Sequence, residues 1–360
     1  MIADMFRIHV IHKQRGGNMN FNKSISILMM CFFLFNCQSV QAKMINADYP
    51  GKNMTDFEKI NTDGLPDNSL YDAQIKIHQN QIWCLYENGQ LGWLTKEESG
   101  EWLFSDLYDL SQQYASESIP KKRYFLSFDF IDQNQLVVYM EEYLYVMNNP
   151  NGSLVGNSQK GYFILYNIDN LSQQQKIINL NDLLMDYIPI SKTVLTRKPK
   201  IVMHLGRLYF YNLNHPYLYQ FSSDLREINR FYFRNLIMDL DFYDNKLLLM
   251  NGDNRLAMYQ MKSDSKHLKL LQTYQLSCNN ILLKKSMSMT ILLTEGGFII
   301  NLIPDEKLNK DLVNCIVIKY EEQNTKAESY ATNLFSDIIQ IDKQTLLIDK
   351  THNLMYPFHD

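Results

Sequence analysis

Four aspartates lie in short segments where apolar and polar residues alternate, a pattern typical of β-strands. Asp129 lies in SFDF, Asp239 and Asp241 lie in MDLDF, and Asp337 begins DIIQI. If these segments are the innermost strands of a closed array, their carboxylates would meet at a central channel. There they could bind a cation or act as an acid/base pair, and they are the candidate catalytic residues. The alternative is that they cap turns and strand ends.

Two histidines, His78 and His204, occupy matching positions at the ends of predicted strands, just before polar turns. A catalytic zinc usually takes three protein ligands, so two imidazoles alone make a poor metal site. The sequence contains no HExxH, GxSxG, phosphate-binding GxxxxGK[ST] or EF-hand pattern. It therefore predicts no metal site and no cofactor.

Aromatic side chains form the second group of candidates. Trp83 and Trp93 lie on successive predicted strands and could form a platform for a ligand. The run from Tyr209 to Phe221 would be a protein-binding surface if half of it faces solvent. The candidate binding residues are Trp83, Trp93, Tyr209, Tyr211, Tyr217 and Tyr219. The alternative for all of them is packing between neighbouring sheets.

One combination of elements recurs along the chain: an alternating strand, a short polar turn, a strongly apolar strand, a second turn and a third apolar strand. Copies begin at Gln74, Ser127, Lys200, Met238, Asn280 and Asp337. Their first turns lie near residues 80, 134, 206, 245, 287 and 344. Fourth strands are predicted near Trp102, Gln175, Arg226, Leu268 and Cys315. Residues 149–160 are predicted to be a polar loop, and residues 181–198 a short helix or excursion.

This repeat resembles the blades of the β-propeller superfold, whose blades take roughly 40–50 residues each. The resemblance covers about residues 54–358 and implies an all-β fold of about six four-stranded blades, with five to seven allowed. No family within the superfold is matched, because the Trp-Asp endings and Asp-boxes of known repeats are missing. The last copy lacks a fourth strand, and FEKIN from Phe57 resembles the fourth strands elsewhere. A strand near 54–62 would then close the ring of a single domain spanning 43–360.

Residues 1–42 are predicted to be a leader, with Met19 as an alternative start. After Lys23 comes an apolar run that is too short to span a bilayer as a helix, and small residues precede Lys43. This is the pattern of a cleavable secretory signal peptide. The segment ending at Cys37 also resembles a lipobox, from which Asn36 departs. The alternative is therefore a lipid anchor on Cys37.

Without the leader the chain has 31 basic and 38 acidic residues, a formal charge of −7, and no basic stripe. Nucleic acid is therefore not an expected partner. Three cysteines remain, Cys84, Cys278 and Cys315. Their odd number and lack of metal-ligand spacing predict free thiols, with Cys84 packed inside a strand. A disulfide between Cys278 and Cys315 is the alternative.

An export signal without catalytic motifs predicts a non-catalytic binding or scaffold protein of the bacterial cell envelope. We expect a periplasmic monomer that engages another envelope protein through a propeller face, and neutralising a secreted toxin is one version of that role. The alternative hypothesis is a periplasmic hydrolase or lyase with a carboxylate site at the central channel.

Overall fold

The described part of the chain is almost entirely β-structure, and side chains on its strands alternate between buried and more exposed positions. In the segment Ile237–Tyr243, for example, Leu240 and Phe242 point into one apolar cluster, while Asp239 and Asp241 lie on the opposite side. In the computed structural model of the protein, the described residues are 42–47, 52–53, 57–115, 121–147, 154–184, 199–211, 217–235, 237–251, 255–261, 267–278, 281–282, 289–302, 315–323, 326–332, 336–341 and 344–358. The predicted signal peptide and Cys37 therefore lie outside the described residues.

The strands form six separate sheets, which we call blades 1 to 6. Three strands come from the N-terminal segment: β1 (Lys43–Ala47), β2 (Lys52–Asn53) and β3 (Glu58–Lys59). Blade 1 contains β4 (Gln74–His78), β5 (Gln81–Leu85), β6 (Gln90–Lys96) and β7 (Trp102–Asp109). Blade 2 contains β8 (Lys121–Phe130), β9 (Gln135–Met147), β10 (Leu154–Asn167) and β11 (Asn170–Asn179). Blade 3 contains β12 (Lys200–His204), β13 (Arg207–Tyr211), β14 (Tyr217–Phe221) and β15 (Glu227–Tyr232).

Blade 4 contains β16 (Ile237–Tyr243), β17 (Lys246–Asn251), β18 (Arg255–Gln260), β19 (Lys269–Cys278) and the short β20 (Ile281–Leu282). Blade 5 contains β21 (Met289–Leu293), β22 (Gly297–Leu302), β23 (Cys315–Glu321) and β24 (Lys326–Thr332). Blade 6 contains β25 (Ser336–Ile341), β26 (Gln344–Asp349) and β27 (Leu354–Phe358). The helical segments among the described residues are single turns at Pro66–Asn68, Leu110–Tyr114 and Leu180–Leu183.

Each neighbouring pair of blades shares its own apolar cluster. Phe128 of blade 2 packs with Leu85 of blade 1, and Phe210 of blade 3 packs with Tyr139 of blade 2. Similar clusters join blade 3 to 4, blade 4 to 5 and blade 5 to 6. A further cluster joins blade 6 to blade 1 and contains Ile348 and Cys84. The sheets therefore form a ring, and the predicted all-β propeller is confirmed with six blades.

The N-terminal segment runs along the outer edges of four blades. β1 pairs parallel with β19 of blade 4, and β2 pairs parallel with β24 of blade 5. β3 pairs antiparallel with β27 and supplies the fourth strand of blade 6. Ile60 then bridges to Trp102 of blade 1. We call β1, β2, β3 and Ile60 together the N-terminal strap.

The Glu58 carboxylate fastens the strap to blade 1. It accepts hydrogen bonds from Lys96 Nζ at 2.6 Å and from Trp102 Nε1 at 2.7 Å. At the other end of the strap, the Ser277 hydroxyl of β19 donates to the Ile45 carbonyl at 3.1 Å. Side chains and main chain thus both hold the segment in place.

Three sequence assignments were wrong. The predicted fourth strand at Cys315 is the third strand of blade 5, and the first turn of that blade lies at residues 294–296 and not near 287. The actual fourth strand, β24, has the sequence KAESYAT, whose polar residues give only a weak strand signal. In blade 2, residues 154–160 belong to β10, because main-chain pairing with β9 continues through this polar stretch.

Candidate functional site

The first strand of each blade has no neighbouring strand on its inner side, so its inward N–H groups need other acceptors. The four candidate aspartates all lie on such strands, in blades 2, 4 and 6. Hairpin register shows that two of them occupy corresponding places. Asp239 and Asp337 lie four residues before the last paired residue of their strand, Tyr243 and Ile341 respectively. The sequence pattern alone does not reveal this match.

Asp129 connects the first three blades. Its Oδ2 accepts hydrogen bonds from Lys76 Nζ of blade 1 and from the main-chain N–H of Met203 in blade 3, both at 2.9 Å. Lys76 also donates to the Ile201 carbonyl of blade 3 at 3.0 Å. The Ile201 N–H in turn donates to the Ser127 hydroxyl at 3.0 Å.

Asp239 makes the corresponding connection between blades 3, 4 and 5, and it is buried, with 4% of its surface exposed. Its Oδ1 accepts hydrogen bonds from Lys200 Nζ and from the Tyr211 hydroxyl, both at 2.8 Å. Its Oδ2 accepts the Ile291 N–H at 2.9 Å. Burial by itself lowers the pKa of Lys200, but the nearby carboxylates of Asp239 and Asp241 outweigh this effect and raise the pKa. Lys200 is therefore a permanent cation of the channel.

Asp241 accepts the Leu293 N–H at 2.7 Å. Two carboxylates of blade 4, Asp239 and Asp241, therefore accept main-chain N–H groups of blade 5. Loss of hydration raises the pKa of Asp241 from 3.8 to about 6, although Lys200 and the Leu293 N–H act in the opposite direction. Asp337 pairs with Lys350 of its own blade at 2.6 Å. Lys350 also donates to the Ala73 carbonyl of blade 1 at 2.6 Å, which joins the last blade to the first.

The Asp241→Asn variant is expected to abolish one component of the pH dependence of stability. The folded-state pKa is about 6 and lies above the ordinary value of 3.8, so between these values the folded protein holds a proton that the unfolded chain has released. The free energy of unfolding of the wild type should therefore fall as pH rises through this window and level off above it. The asparagine variant should lack that decline because its side chain does not titrate, while its oxygen can still accept the Leu293 N–H. Urea unfolding at a series of pH values measures the difference, and an unchanged slope would contradict the assignment.

His78 and His204 act as cross-links and do not come together as a site. His78 Nε2 lies 3.2 Å from the Gln133 carbonyl of blade 2, and its ring stacks on Phe130 at 3.8 Å. His204 Nε2 lies 2.5 Å from the Asp244 carbonyl of blade 4, and its ring stacks on Phe242 at 4.8 Å. Each histidine therefore binds the first turn of the following blade. Among the described residues, no group of three His, Cys, Asp or Glu side chains could hold a metal ion.

The aromatic candidates are mostly core residues. Tyr209, Tyr211 and Tyr219 each expose 2% of their surface or less, and Tyr217 is partly buried. Trp83 is buried and packs against the partly buried Trp93 at 5.1 Å. The expected tyrosine surface and tryptophan platform are thus not formed by these residues. In a propeller the neighbouring blades cover both faces of each blade. Alternation along a strand therefore does not separate exposed from buried aromatic residues.

Cys84 lies buried in β5, and burial raises the pKa of its thiol to about 12, so it is held as an unreactive neutral group. Cys278 ends β19 in blade 4 and Cys315 begins β23 in blade 5. Their side chains lie outside the described part of the structure.

Sequence reasoning missed one feature of the surface. The described first turns, which join the first and second strands of blades 1 to 5, lie on one side of the ring, which we call the first-turn face. On it Leu205 exposes 70% of its surface and has a backbone φ of 48°. The equivalent turn residues are Gln79 in blade 1 and Asp244 in blade 4, each with φ 50°. The signal available in the sequence was a Leu-Gly pair where the other turns carry polar residues.

A cleft of about 580 Å³ opens on the same face, between the first turns of blades 4 and 5. It is lined by Tyr243, Asp244, Lys246 and Glu295. Within the described ranges, none of the three charged side chains has an ion-pair partner. Asp244 links the cleft to the turn of Leu205: it lines the cleft, and its carbonyl lies 2.5 Å from Nε2 of His204, the residue before Leu205.

Comparison with known proteins agrees with this architecture. A crystal structure from Bacteroides fragilis, named as a presumed exported protein, matches with a TM-score of 0.51 and 10% identity over 85% of this chain and 88% of that chain. The likeness is one of fold alone. A protein of unknown function from Bacteroides caccae matches with a TM-score of 0.41 and 9% identity over 82% and 83% of the two chains. Sqt1 of Saccharomyces cerevisiae matches with a TM-score of 0.41 and 8% identity over 78% and 81%.

No family model matches the chain, and no curated protein matches it in sequence. In the described part of the chain, no helix has the length and apolar character needed to cross a membrane.

Proposed function

We propose that this protein is a non-catalytic, exported binding or scaffold protein of the bacterial cell envelope that engages a protein partner through one face of its propeller. The observation that carries the proposal is the state of the channel carboxylates. Asp129, Asp239 and Asp241 each accept a main-chain N–H of a neighbouring blade, and Asp337 is paired with Lys350. Groups committed in this way hold the blades together, which leaves the faces as the surfaces available for function.

Acid/base catalysis needs a carboxylate within hydrogen-bond reach of a substrate proton. At Asp129, Asp239 and Asp337, a substrate would have to displace the Lys76, Lys200 or Lys350 ammonium from its carboxylate, and at Asp241 it would have to compete with the Leu293 N–H. Displacing one partner leaves a charge unpaired inside the ring, at a cost of several kcal/mol. The hydrolase or lyase alternative is therefore disfavoured by the geometry.

The cellular location belongs to the same proposal. The leader pattern supports export to the periplasm, with a lipid anchor on Cys37 as the alternative. If Cys37 carries the lipid, only residues 38–42 separate it from β1, so the outer edge of blade 4 would lie close to the membrane. Mass spectrometry of the mature N-terminus distinguishes a start at Lys43 from a lipidated Cys37.

The test uses residues 43–360 and a variant in which Asp129, Asp241 and Asp337 are all replaced by asparagine. We expect the wild-type protein to bind one envelope protein saturably and to turn over no substrate in panels of hydrolase and lyase assays. The variant should bind that protein equally well once its folded fraction is taken into account. Turnover by the wild type that disappears in the variant would contradict the proposal.

A further inference from the structure

The exposed Leu205 and the adjacent cleft suggest what kind of segment this protein recognises. We propose that the first-turn face binds an exposed segment of a protein partner in which an arginine stands next to an apolar residue. The apolar residue packs on Leu205, and the arginine enters the cleft between blades 4 and 5. This inference rests on the proposed function and names the surface and the chemistry of its ligand.

Leu205 is a poor choice for stability alone. Non-glycine residues with positive φ are disfavoured, and asparagine or aspartate tolerates this conformation better than leucine. In the equivalent turn of blade 1, Gln79 Nε2 donates to the Gln133 carbonyl at 3.2 Å, so that side chain strengthens the blade interface. Leu205 instead points an apolar side chain into solvent. Protein interfaces commonly have an apolar centre and a polar rim, and Leu205 among polar turn residues has this arrangement on a small scale.

The cleft beside Leu205 has the chemistry to hold a guanidinium group. Asp244 and Glu295 belong to different blades and are exposed, and together they outnumber the one ammonium of Lys246. The Tyr243 ring offers a surface on which a planar cation can stack. Arginine suits this combination better than lysine, because it can stack and hydrogen-bond to a carboxylate at two points. The formal charge of −7 beyond the leader also favours a basic ligand.

Random twelve-residue peptides displayed on phage, selected against immobilised residues 43–360, test this inference. We expect enriched peptides to carry arginine within about three residues of a large apolar residue. The Leu205→Asn variant should bind them at least about tenfold more weakly. The Glu295→Gln variant should weaken binding about fivefold at low salt, and this effect should shrink at high salt.

Two controls separate recognition from folding. Leu205→Asn should raise the melting temperature by about 2 °C, because asparagine tolerates the left-handed turn, so its lost binding would not reflect unfolding. Ile228→Asn removes another exposed apolar residue, on the outer strand β15, and should leave peptide binding unchanged.

The outcomes also separate this inference from the proposed function. If the enriched peptides need Leu205 for binding but lack arginine, or bind the Glu295→Gln variant as tightly as the wild type, the arginine assignment is overturned and binding by this face stands. Peptide binding unaffected by Leu205→Asn would overturn the surface itself. The proposed function would be overturned if the wild type turns over a substrate and neither Leu205→Asn nor Glu295→Gln weakens binding of the envelope partner.

Discussion

Replacing Asp239 with alanine is expected to lower the free energy of unfolding by about 3–5 kcal/mol, the range for removing one member of a buried ion pair. The substitution leaves the Lys200 ammonium without its counter-charge inside the ring. It also removes the acceptor of the Tyr211 hydroxyl and of the Ile291 N–H. Blades 3, 4 and 5 all lose a contact through this one side chain.

Urea unfolding followed by tryptophan fluorescence measures this loss, with Asp224→Ala as the matched control. Asp224 pairs with Arg226 at 2.7 Å on the surface, where solvent screens the ion pair, so its loss should leave the free energy of unfolding nearly unchanged. A double variant, Lys200→Met with Asp239→Leu, should recover part of the stability because neither member of this ion pair is left unpaired, while the Tyr211 hydroxyl and the Ile291 N–H still lack their acceptor. A loss below about 1 kcal/mol for Asp239→Ala would show that the channel is hydrated and that the pair is not structural.

Removing the N-terminal strap is the second change with a large expected effect. A chain that begins at residue 61 lacks the buried Ile45, Ala47 and Ile60, and blade 6 loses its fourth strand. It also lacks the Glu58 carboxylate that binds Lys96 and Trp102 of blade 1. Lost apolar burial and charged hydrogen bonds together should lower the free energy of unfolding by about 5 kcal/mol or more. That is a large part of the stability of an ordinary domain.

The comparison chain is residues 43–360, and thermal unfolding of the two chains measures the difference. The truncated chain should unfold at a much lower temperature and expose apolar surface to a hydrophobic dye. The Glu58→Ala variant provides a smaller change that leaves every strand present, with an expected loss of about 1–3 kcal/mol. Equal melting temperatures for the truncated and full chains would mean that the strap is dispensable.

Most of the fold could be predicted from periodicity, because inner strands are apolar and separated by short polar turns. The fourth strands of blades 1 to 4 were also placed correctly. The segment FEKIN, which resembles an outer strand in sequence, contains β3, the fourth strand of blade 6. Blade 5 was misread because its outer strand β24 is polar, whereas β23, CIVIKYE, has the apolar run expected of any inner strand. Strand order within a blade depends on distant pairing that a local pattern does not encode.

The candidate site was harder to predict. The aspartates were placed on the correct strands, but their partners Lys76, Lys200 and Lys350 lie 53, 39 and 13 residues away in sequence and were not foreseen. Local patterns contain no information on which ammonium meets which carboxylate. The tyrosines of blade 3 were expected on the surface but are mostly buried, because neighbouring blades cover both faces of each blade. Leu205 was overlooked because one exposed leucine is ordinary until its backbone conformation is known.

Amide hydrogen exchange at Met203, Ile291 and Leu293 tests the central claim most directly, namely that the channel carboxylates bind the blades to one another. These N–H groups lie on inner strand edges, and the side chains of Asp129, Asp239 and Asp241 are their acceptors. The predicted result is exchange as slow as that of the paired amides of β13. Exchange at the rate of exposed loop amides, while β13 remains protected, would contradict the claim and make the carboxylates available to a substrate.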